Sequence, residues 1–248
     1  MPTTKKPDLW FEDANFEVFH EEKQRDSKFN SERLKVKRKL GAMLKQIGPV
    51  LAEQGGLELP GKTSLSHPWT YNAFKVDSIW GYFSRPDSEK KDLRAIFGRA
   101  LGKDLDPAFI HLLLVIGVGY EGVELSLKIH SHAWWDGQNV KNRCKSDAGL
   151  REMLEIVNTL DGFILSIHDW RKEYRCGELY RSDLANYFQY YEPGTHWLHV
   201  RQRFARDDER ILADGWMDIA TQSMLRLVPL YRFIAWSADN NHLGLKEG

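Results

Sequence analysis

The sequence predicts an α+β fold in which helices cover an antiparallel or mixed β-sheet, all within a single domain. The first observation is a β-hairpin pattern in the middle of the chain, at residues 109–132, with helical patterns before and after it. Hairpins mixed with helices favour this architecture over a doubly wound parallel sheet. The second observation is that no linker, repeat or low-complexity stretch divides the chain. We therefore expect a disordered tail at residues 1–9 and one domain at residues 10–248.

The first strong helix follows a short apolar element at residues 11–19 and begins at Asn30 or Ser31, either of which can cap it. Pro49 is expected to kink or shorten this helix, and Gly55-Gly56 ends it. Its apolar residues recur mostly at steps of three and four, as on one face of a helix: Leu34, Val36, Leu40, Met43, Leu44, Ile47, Val50 and Leu51.

The middle of the chain contains the strand patterns. Residues 57–69 are expected to form a loop with one short strand, and residues 74–84 a strand rich in β-branched and aromatic side chains. A helix opens at Pro86-Asp87-Ser88 and stops at Gly102. Strands at residues 109–118 and 123–132 then flank the turn Gly119-Tyr120-Glu121-Gly122.

The last part of the chain is mostly helical. Asp136 is expected to cap a short helix, and Ser146 or Asp147 a longer one that ends at Gly162. The remaining elements are a strand at residues 163–168, a helix at 182–191, a strand at 196–204 and a helix at 214–237 with a kink at Pro229. The core is expected to include Leu40, Leu44, Ile47, Leu125, Leu127, Ile129, Leu154 and Val157.

Composition and charge bound the class of protein. Hydrophobic residues make up 42% of the chain and charged residues 28%, as in ordinary globular proteins. The 35 basic and 35 acidic residues balance, so no global field attracts nucleic acid or an anionic membrane. The N-terminus lacks the apolar segment of a signal peptide, and the longest apolar run, within residues 109–118, is about half of a membrane span. We therefore expect a cytoplasmic protein without a membrane partner, in which Cys144 and Cys176 are free thiols.

The N-terminal third resembles the YktB-like family of uncharacterised bacterial proteins. The resemblance is carried by Phe16-Glu17-Val18-Phe19, by Arg33 at the start of the first helix, and by Ile47-Gly48-Pro49-Val50-Leu51 at its end. It implies a fold of mixed helices and sheet and an unknown function, and it supplies no catalytic residue.

The candidate ligand site lies at residues 123–136, where a strand runs into two tryptophans. Strand alternation places the apolar residues on one face and the polar residues on the other. Trp134 and Trp135 are expected to wall a pocket over the polar face, and Asp136 to start a helix whose N-terminal amides favour an anion. The polar face should then line the protein's main concavity and bind a small anionic molecule, through Glu124, Ser126, Lys128, His130 and His132.

A metal site is an alternative interpretation of the same strand. His130 and His132 project from one face and could hold a divalent metal, with Asp136, Glu124 or the distant His168-Asp169 completing the coordination. A His-x-His pair also occurs on plainly solvated strand faces. His168-Asp169 at a strand end is equally open to two interpretations, as catalytic groups or as a surface histidine and a capping aspartate.

Two basic stretches suggest nucleic-acid binding as a further alternative. One lies on the first helix, and the other follows a strand near the C-terminal end, where nearby acidic residues partly offset it. Aromatic residues such as Trp69, Tyr71 and Trp197 could stack bases beside them, although the zero net charge counts against this function. The basic residues are Arg33, Lys35, Lys37, Arg38, Lys39 and Lys45, then Arg201, Arg203, Arg206 and Arg210.

Motifs for the common enzyme classes are missing from the sequence. Residues 117–122 match the spacing of a dinucleotide fingerprint, but a strand follows them where that motif requires a helix. No phosphate-binding loop, nucleophile elbow or zinc-protease motif occurs. The sequence therefore favours a protein that binds a small anionic ligand or a protein partner, with a metal-dependent hydrolase or phosphoesterase next, and leaves open whether the protein is an enzyme.

Overall fold

The computed structural model of the 248-residue chain describes residues 9–65, 73–102, 105–167 and 172–243. Within these residues the fold is α+β, as predicted. The strands are β1 (Gly61–Ser64), β2 (Ser78–Phe83), β3 (Leu113–Gly119), β4 (Gly122–Ile129), β5 (Ile164–Ile167), β6 (Glu173–Arg175) and β7 (Leu198–Ala205). They form one sheet of seven strands in the order β1-β2-β3-β4-β7-β5-β6, and every neighbouring pair is antiparallel.

The α-helices of the described residues are α1 (Asp13–Glu17), α2 (Asn30–Glu53), α3 (Asp87–Gly102), α4 (Trp134–Arg143), α5 (Asp147–Asn158), α6 (Arg181–Tyr190) and α7 (Trp216–Ile234). Helix α2 packs on β1 and β2, and α7 packs on β4 and on α2, α4 and α5. None of the helices in the described ranges combines the length and the apolar character needed to span a membrane.

The helices bury one face of the sheet, and the alternation of β4 explains which one. Leu125, Leu127 and Ile129 point into the main core and are completely buried there. The predicted core residues are all buried except Leu154, which is half-buried and packs against the core. Cys144 and Cys176 are buried and free, as predicted, and burial raises the pKa of each thiol to about 12.

The hairpin of β3 and β4 is confirmed, with Tyr120 and Glu121 as its two-residue turn. Gly122 follows at a φ of 135°, and a Cβ there would lie 2.0 Å from the carbonyl oxygen of Phe204. Only glycine fits this conformation and this contact, so the turn fixes the register of the hairpin.

Several predicted boundaries are wrong. Helix α2 has Phe29, not Asn30 or Ser31, as its N-cap, and it continues beyond Pro49 to Glu53. Strand β2 begins at Ser78, because Phe74 has a φ of 64° and is 84% exposed. Residues 109–112 precede β3 and partly form a 3-10 turn. Of the predicted tail, residues 1–8 lie outside the described residues, and Leu9 is buried.

Candidate functional site

The face of the sheet opposite the helices, here called the second face, carries the candidate site. On β2 and β3 it is apolar, with Trp80, Tyr82, Leu113 and Val115 in one buried cluster. On β4, β7 and β5 it is polar. The pairing of these strands places their polar residues side by side, in three rows that cross the sheet. The polar residues are Glu124, Ser126 and Lys128 on β4, His199, Arg201 and Arg203 on β7, and Ser166 on β5.

Glu124 lies between two cations on this face. Its Oε1 is 2.7 Å from Lys128 Nζ and accepts a 3.1 Å hydrogen bond from Ser126 Oγ, while Oε2 accepts from Arg203 Nε at 3.2 Å. Lys128 is four residues along the same strand, about 13 Å in an extended chain. Both long side chains therefore reach toward each other over the small, buried Ser126.

The two cations keep Glu124 ionised. Burial alone raises the pKa of this carboxyl, but the ion pair and hydrogen bond with Lys128, together with the charges of His199 and Arg203, outweigh burial and lower the pKa to about 2. Two cations and one anion leave the trio of Lys128, Glu124 and Arg203 with one net positive charge.

Trp80, on β2, contacts one member of this trio, Lys128. The Lys128 ammonium lies 4.1 Å from the centre of the indole ring, within the range of a cation–π contact. In the sheet, Gly117 lies between Trp80 and Glu124 and pairs with Trp80 on one side and with Glu124 on the other. The indole and the lysine meet on the second face beside Gly117, where a Cβ would make only ordinary contacts, the nearest of them 3.7 Å from Trp80 Nε1.

These residues line a concavity of about 1010 Å³ at the hairpin end of the sheet. Trp80, Gly117, Glu124, Lys128 and Arg203 belong to the sheet side. The remaining lining comes from three segments: His20 and Glu21 before α2, Lys75 and Asp77 before β2, and Glu121 in the turn. Lys128 is only 8% exposed, whereas the acidic residues of these segments are exposed to solvent.

Arg33 fixes the segment before α2, which forms part of the wall of the concavity outside the sheet. The guanidinium is 2% exposed and donates hydrogen bonds to the carbonyl oxygens of Lys23 and Asp26 and to the Asn30 side chain. Gln24, which lines the concavity, is further fixed by its backbone bond with Val76. The buried arginine therefore serves the shape of the wall and is not part of a surface basic patch.

The predicted site residues are only partly brought together. Glu124 and Lys128 line the concavity, and Ser126 is buried beneath their ion pair. His130 lies beyond the end of β4, and its ring is 4.1 Å from the Trp197 ring and 5.5 Å from Phe109. His132 is exposed in a turn, because the strand ends at Ile129 and alternation no longer applies.

The expected role of the two tryptophans is wrong. Trp135 packs in a separate cluster with Leu93, Leu105, Ile110 and Trp236, and Trp134 is 43% exposed. Neither ring lines the concavity described above. They occupy the first turn of α4, which turns them away from the strand that precedes it.

Asp136 does not cap a helix or favour an anion. It lies inside α4, whose N-cap is Ala133, and its carboxylate is completely buried. Its Oδ1 is 2.8 Å from Arg85 Nη2 and accepts from the backbone N–H of Trp236, and Oδ2 accepts from the backbone N–H of Leu112. Asp136 therefore ties α4 to the segments that follow β2 and α7, and its complete burial gives it a structural role.

Of the side chains considered as metal ligands, the structure brings only the two histidines together within the described residues. The His130 and His132 rings are 4.8 Å apart, and His130 Nδ1 accepts a hydrogen bond from the backbone N–H of His132. Within the described residues no group of three or more His, Cys, Asp or Glu side chains could hold a metal ion. Residues 168 and 169 lie outside the described residues.

Most of the basic residues considered for nucleic acid have local partners. Lys35 pairs with Glu32, Lys39 bonds to Asn15 and the Trp10 carbonyl, and Arg201 pairs with Glu173. Further ion pairs join Arg206 to Asp13 and Glu17, and Arg210 to Asp208. Trp69 and Tyr71 lie outside the described residues.

Sequence reasoning did not place Trp80, Gly117 or Arg203 beside Glu124 and Lys128. The signal for Trp80 and Gly117 was present, because Gly117 falls in the first strand of the predicted hairpin and Trp80 in the strand predicted before it. Arg203 carried no such signal, since the pairing of β7 with β4 joins segments about 75 residues apart, and local periodicity does not encode it.

No known protein-family model matches this sequence. A comparison with curated proteins likewise gives no match. The fold and the site define the class of molecule: an α+β protein with an open antiparallel sheet, helices on one face, and a charged concavity at the hairpin end of the other.

Proposed function

We propose that the protein binds a small anionic molecule in this concavity, with Lys128 and Arg203 as the cations that receive it. The observation that carries the proposal is the unequal ion-pair trio, in which two cations share the single carboxylate of Glu124. An anion placed beside the trio would complete its charge balance.

The burial of Lys128 strengthens the attraction of this net positive charge for an anion. A buried charge is screened less by water than an exposed one, so its attraction for an anion is stronger. Lys128 is 8% exposed, and Trp80 covers it on one side. Arg203, with 63% of its side chain exposed, can turn from Glu124 to an incoming ligand at little cost.

Acidic residues at the outer side do not cancel this preference. Glu21, Asp77 and Glu121 are exposed, and solvent screens their charge within about 8 Å at physiological salt. A ligand that reaches the sheet side meets Lys128 and Arg203 at contact distance.

The proposal is tested by titrating 2-naphthoate and phenyl phosphate into the protein by calorimetry. We expect Arg203→Ala to weaken binding about fivefold to tenfold, which corresponds to about 1–1.4 kcal/mol for one lost charge contact. Lys128→Met, which keeps the length of the side chain without its charge, should weaken binding further. Arg38→Ala, an exposed arginine on α2, is the matched control and should bind as the wild type does.

Two outcomes would overturn the proposal. One is that neither probe binds the wild-type protein at millimolar concentration. The other is that Arg203→Ala and Arg38→Ala have equal affinity for the bound probe. Because Arg203 is exposed, its removal should leave the melting temperature unchanged, so lost binding cannot be attributed to unfolding.

A further inference from the structure

Gly117 is a glycine in the interior of β3, between Ile116 and Val118. A glycine inside a strand is costly, because it has the largest backbone entropy to lose and no side chain to pack. Such a residue often marks a bulge or a place where another group approaches the backbone closely. Its presence in a regular, fully paired strand therefore requires an explanation.

Two other strand glycines of this sheet, Gly81 and Gly61, are explained by the packing of helix α2. A Cβ at Gly81 would lie 3.3 Å from both Leu40 and Leu44, and a Cβ at Gly61 would lie 3.2 Å from Leu44. Helix α2 approaches the sheet so closely that a Cβ at either position would make a tight contact with it. These two glycines serve the core.

Gly117 has neither a conformational nor a packing reason. It is not among the residues with a positive φ, so any residue can adopt its backbone conformation. A Cβ there would meet Trp80 Nε1 at 3.7 Å and Glu124 Cβ at 4.0 Å, which are ordinary contacts. The fold would accept the methyl group of an alanine at this position.

We infer that Gly117 is the seat of the ligand, and that the ligand is a planar aromatic anion. This inference rests on the proposed function and adds the shape of the guest to it. The bare backbone of Gly117 forms a flat floor in the concavity, with the Trp80 indole on one side and Glu124 on the other. A flat ring fits on that floor, and its acidic group reaches Lys128 or Arg203 at the edge.

A graded series at one position tests the seat. We expect Gly117→Ala to weaken 2-naphthoate binding several-fold and Gly117→Val to weaken it at least about tenfold, because the added carbons occupy the floor. Gly117→Ala should not lower the melting temperature, because its methyl group would make only ordinary contacts and alanine loses less backbone entropy on folding than glycine does. The melting temperature of Gly117→Val, measured alongside, shows whether lost binding in that variant comes with lost stability. Gly215→Ala and Gly215→Val are the matched controls, because a Cβ at Gly215 would meet no atom within 4 Å.

A matched pair of ligands tests the shape. Decahydro-2-naphthoate has the carbon skeleton and the charge of 2-naphthoate but a puckered, thicker ring system. The wild-type protein should bind 2-naphthoate several-fold more tightly than the saturated acid. In Gly117→Val this preference should disappear, because the flat floor is gone.

The outcomes separate this inference from the proposed function. If the wild type binds 2-naphthoate in an Arg203-dependent manner but Gly117→Val binds equally well, the anion site stands and the seat is wrong. Equal binding of the flat and the puckered acid by the wild type would likewise overturn the planar ligand. If no probe binds the wild type, the proposed function fails first, and the inference fails with it.

Discussion

Gly137 is a further glycine that the atoms around it explain, and it shows how a single hydrogen atom can decide packing. It lies in α4 one residue after the buried Asp136, where an alanine would normally strengthen the helix. A Cβ at Gly137 would lie 2.5 Å from Tyr191 Oη and 3.2 Å from Pro193 Cβ. Tyr191 is completely buried, so its ring has no free space into which to move.

We therefore expect Gly137→Ala to destabilise the protein by about 1–3 kcal/mol, the usual cost of overpacking a core. Adding Tyr191→Phe removes the hydroxyl that the new methyl meets, and the double variant should recover part of that loss. Gly41→Ala is the control, because a Cβ there meets only Thr63 at 3.9 Å, and this helical alanine should stabilise. Urea denaturation measures all of them. Stabilisation by Gly137→Ala would show that Tyr191 lies elsewhere.

Asp136 shows why residue roles are harder to predict than residue positions. An aspartate before a helical pattern is typically a cap, because its side chain accepts from the first free amides. Here α4 begins two residues earlier, and tertiary contacts decide what the carboxylate does. Arg85, its partner, lies 51 residues away, and a pairing at that distance leaves no mark in the local pattern.

At the scale of elements, hairpins and periodic helices could be predicted, and long-range strand pairing could not. The turn of β3 and β4 fixed that hairpin locally, and the alternation of β4 gave the correct buried face. By contrast, β7 inserts between β4 and β5, and β6 has only three residues, too few for a period to be read. The candidate site was therefore half predicted, with β4 and its hairpin partner β3 identified and the pairing of β4 with β7 missing.

The orientation of β4 gives a prediction at the same scale. Leu127 is completely buried on the helix-covered face, so Leu127→Ala should lower the free energy of unfolding by about 2–5 kcal/mol through lost burial and a residual cavity. Leu34→Ala, at a position that is 39% exposed on α2, should change it by less than about 0.5 kcal/mol. Denaturant midpoints compare the two. A midpoint for Leu127→Ala close to the wild-type value would mean that the two faces of β4 are exchanged.

At the scale of the whole molecule, two groups with shifted pKa values tie stability to pH. His111 is completely buried, and desolvation lowers its pKa from 6.5 to about 4, while Nε2 donates to the Leu105 carbonyl. Glu124 has a pKa lowered from 4.5 to about 2. In both cases the unfolded chain binds the proton more readily than the folded protein does, so stability falls as the pH falls.

The two groups act in different pH windows. The contribution of His111 is complete above about pH 6.5 and is lost as the pH falls toward 4, when the unfolded chain gains a proton that the folded protein refuses. The contribution of Glu124 is complete above about pH 4.5 and is lost toward pH 2. Each shift corresponds to an upper limit of about 3 kcal/mol.

We therefore expect His111→Gln to flatten the stability profile between pH 6.5 and 4 and to leave the slope below pH 4 intact. Glu124→Gln should do the reverse, because it removes the group that titrates below pH 4.5. Urea midpoints at half-unit steps from pH 7 to 3 measure the slopes, which are independent of any constant loss of stability in either variant. Equal slopes for His111→Gln and the wild type between pH 6.5 and 4 would mean that His111 is charged in the folded protein, contrary to its buried position beside Arg85 and Lys90.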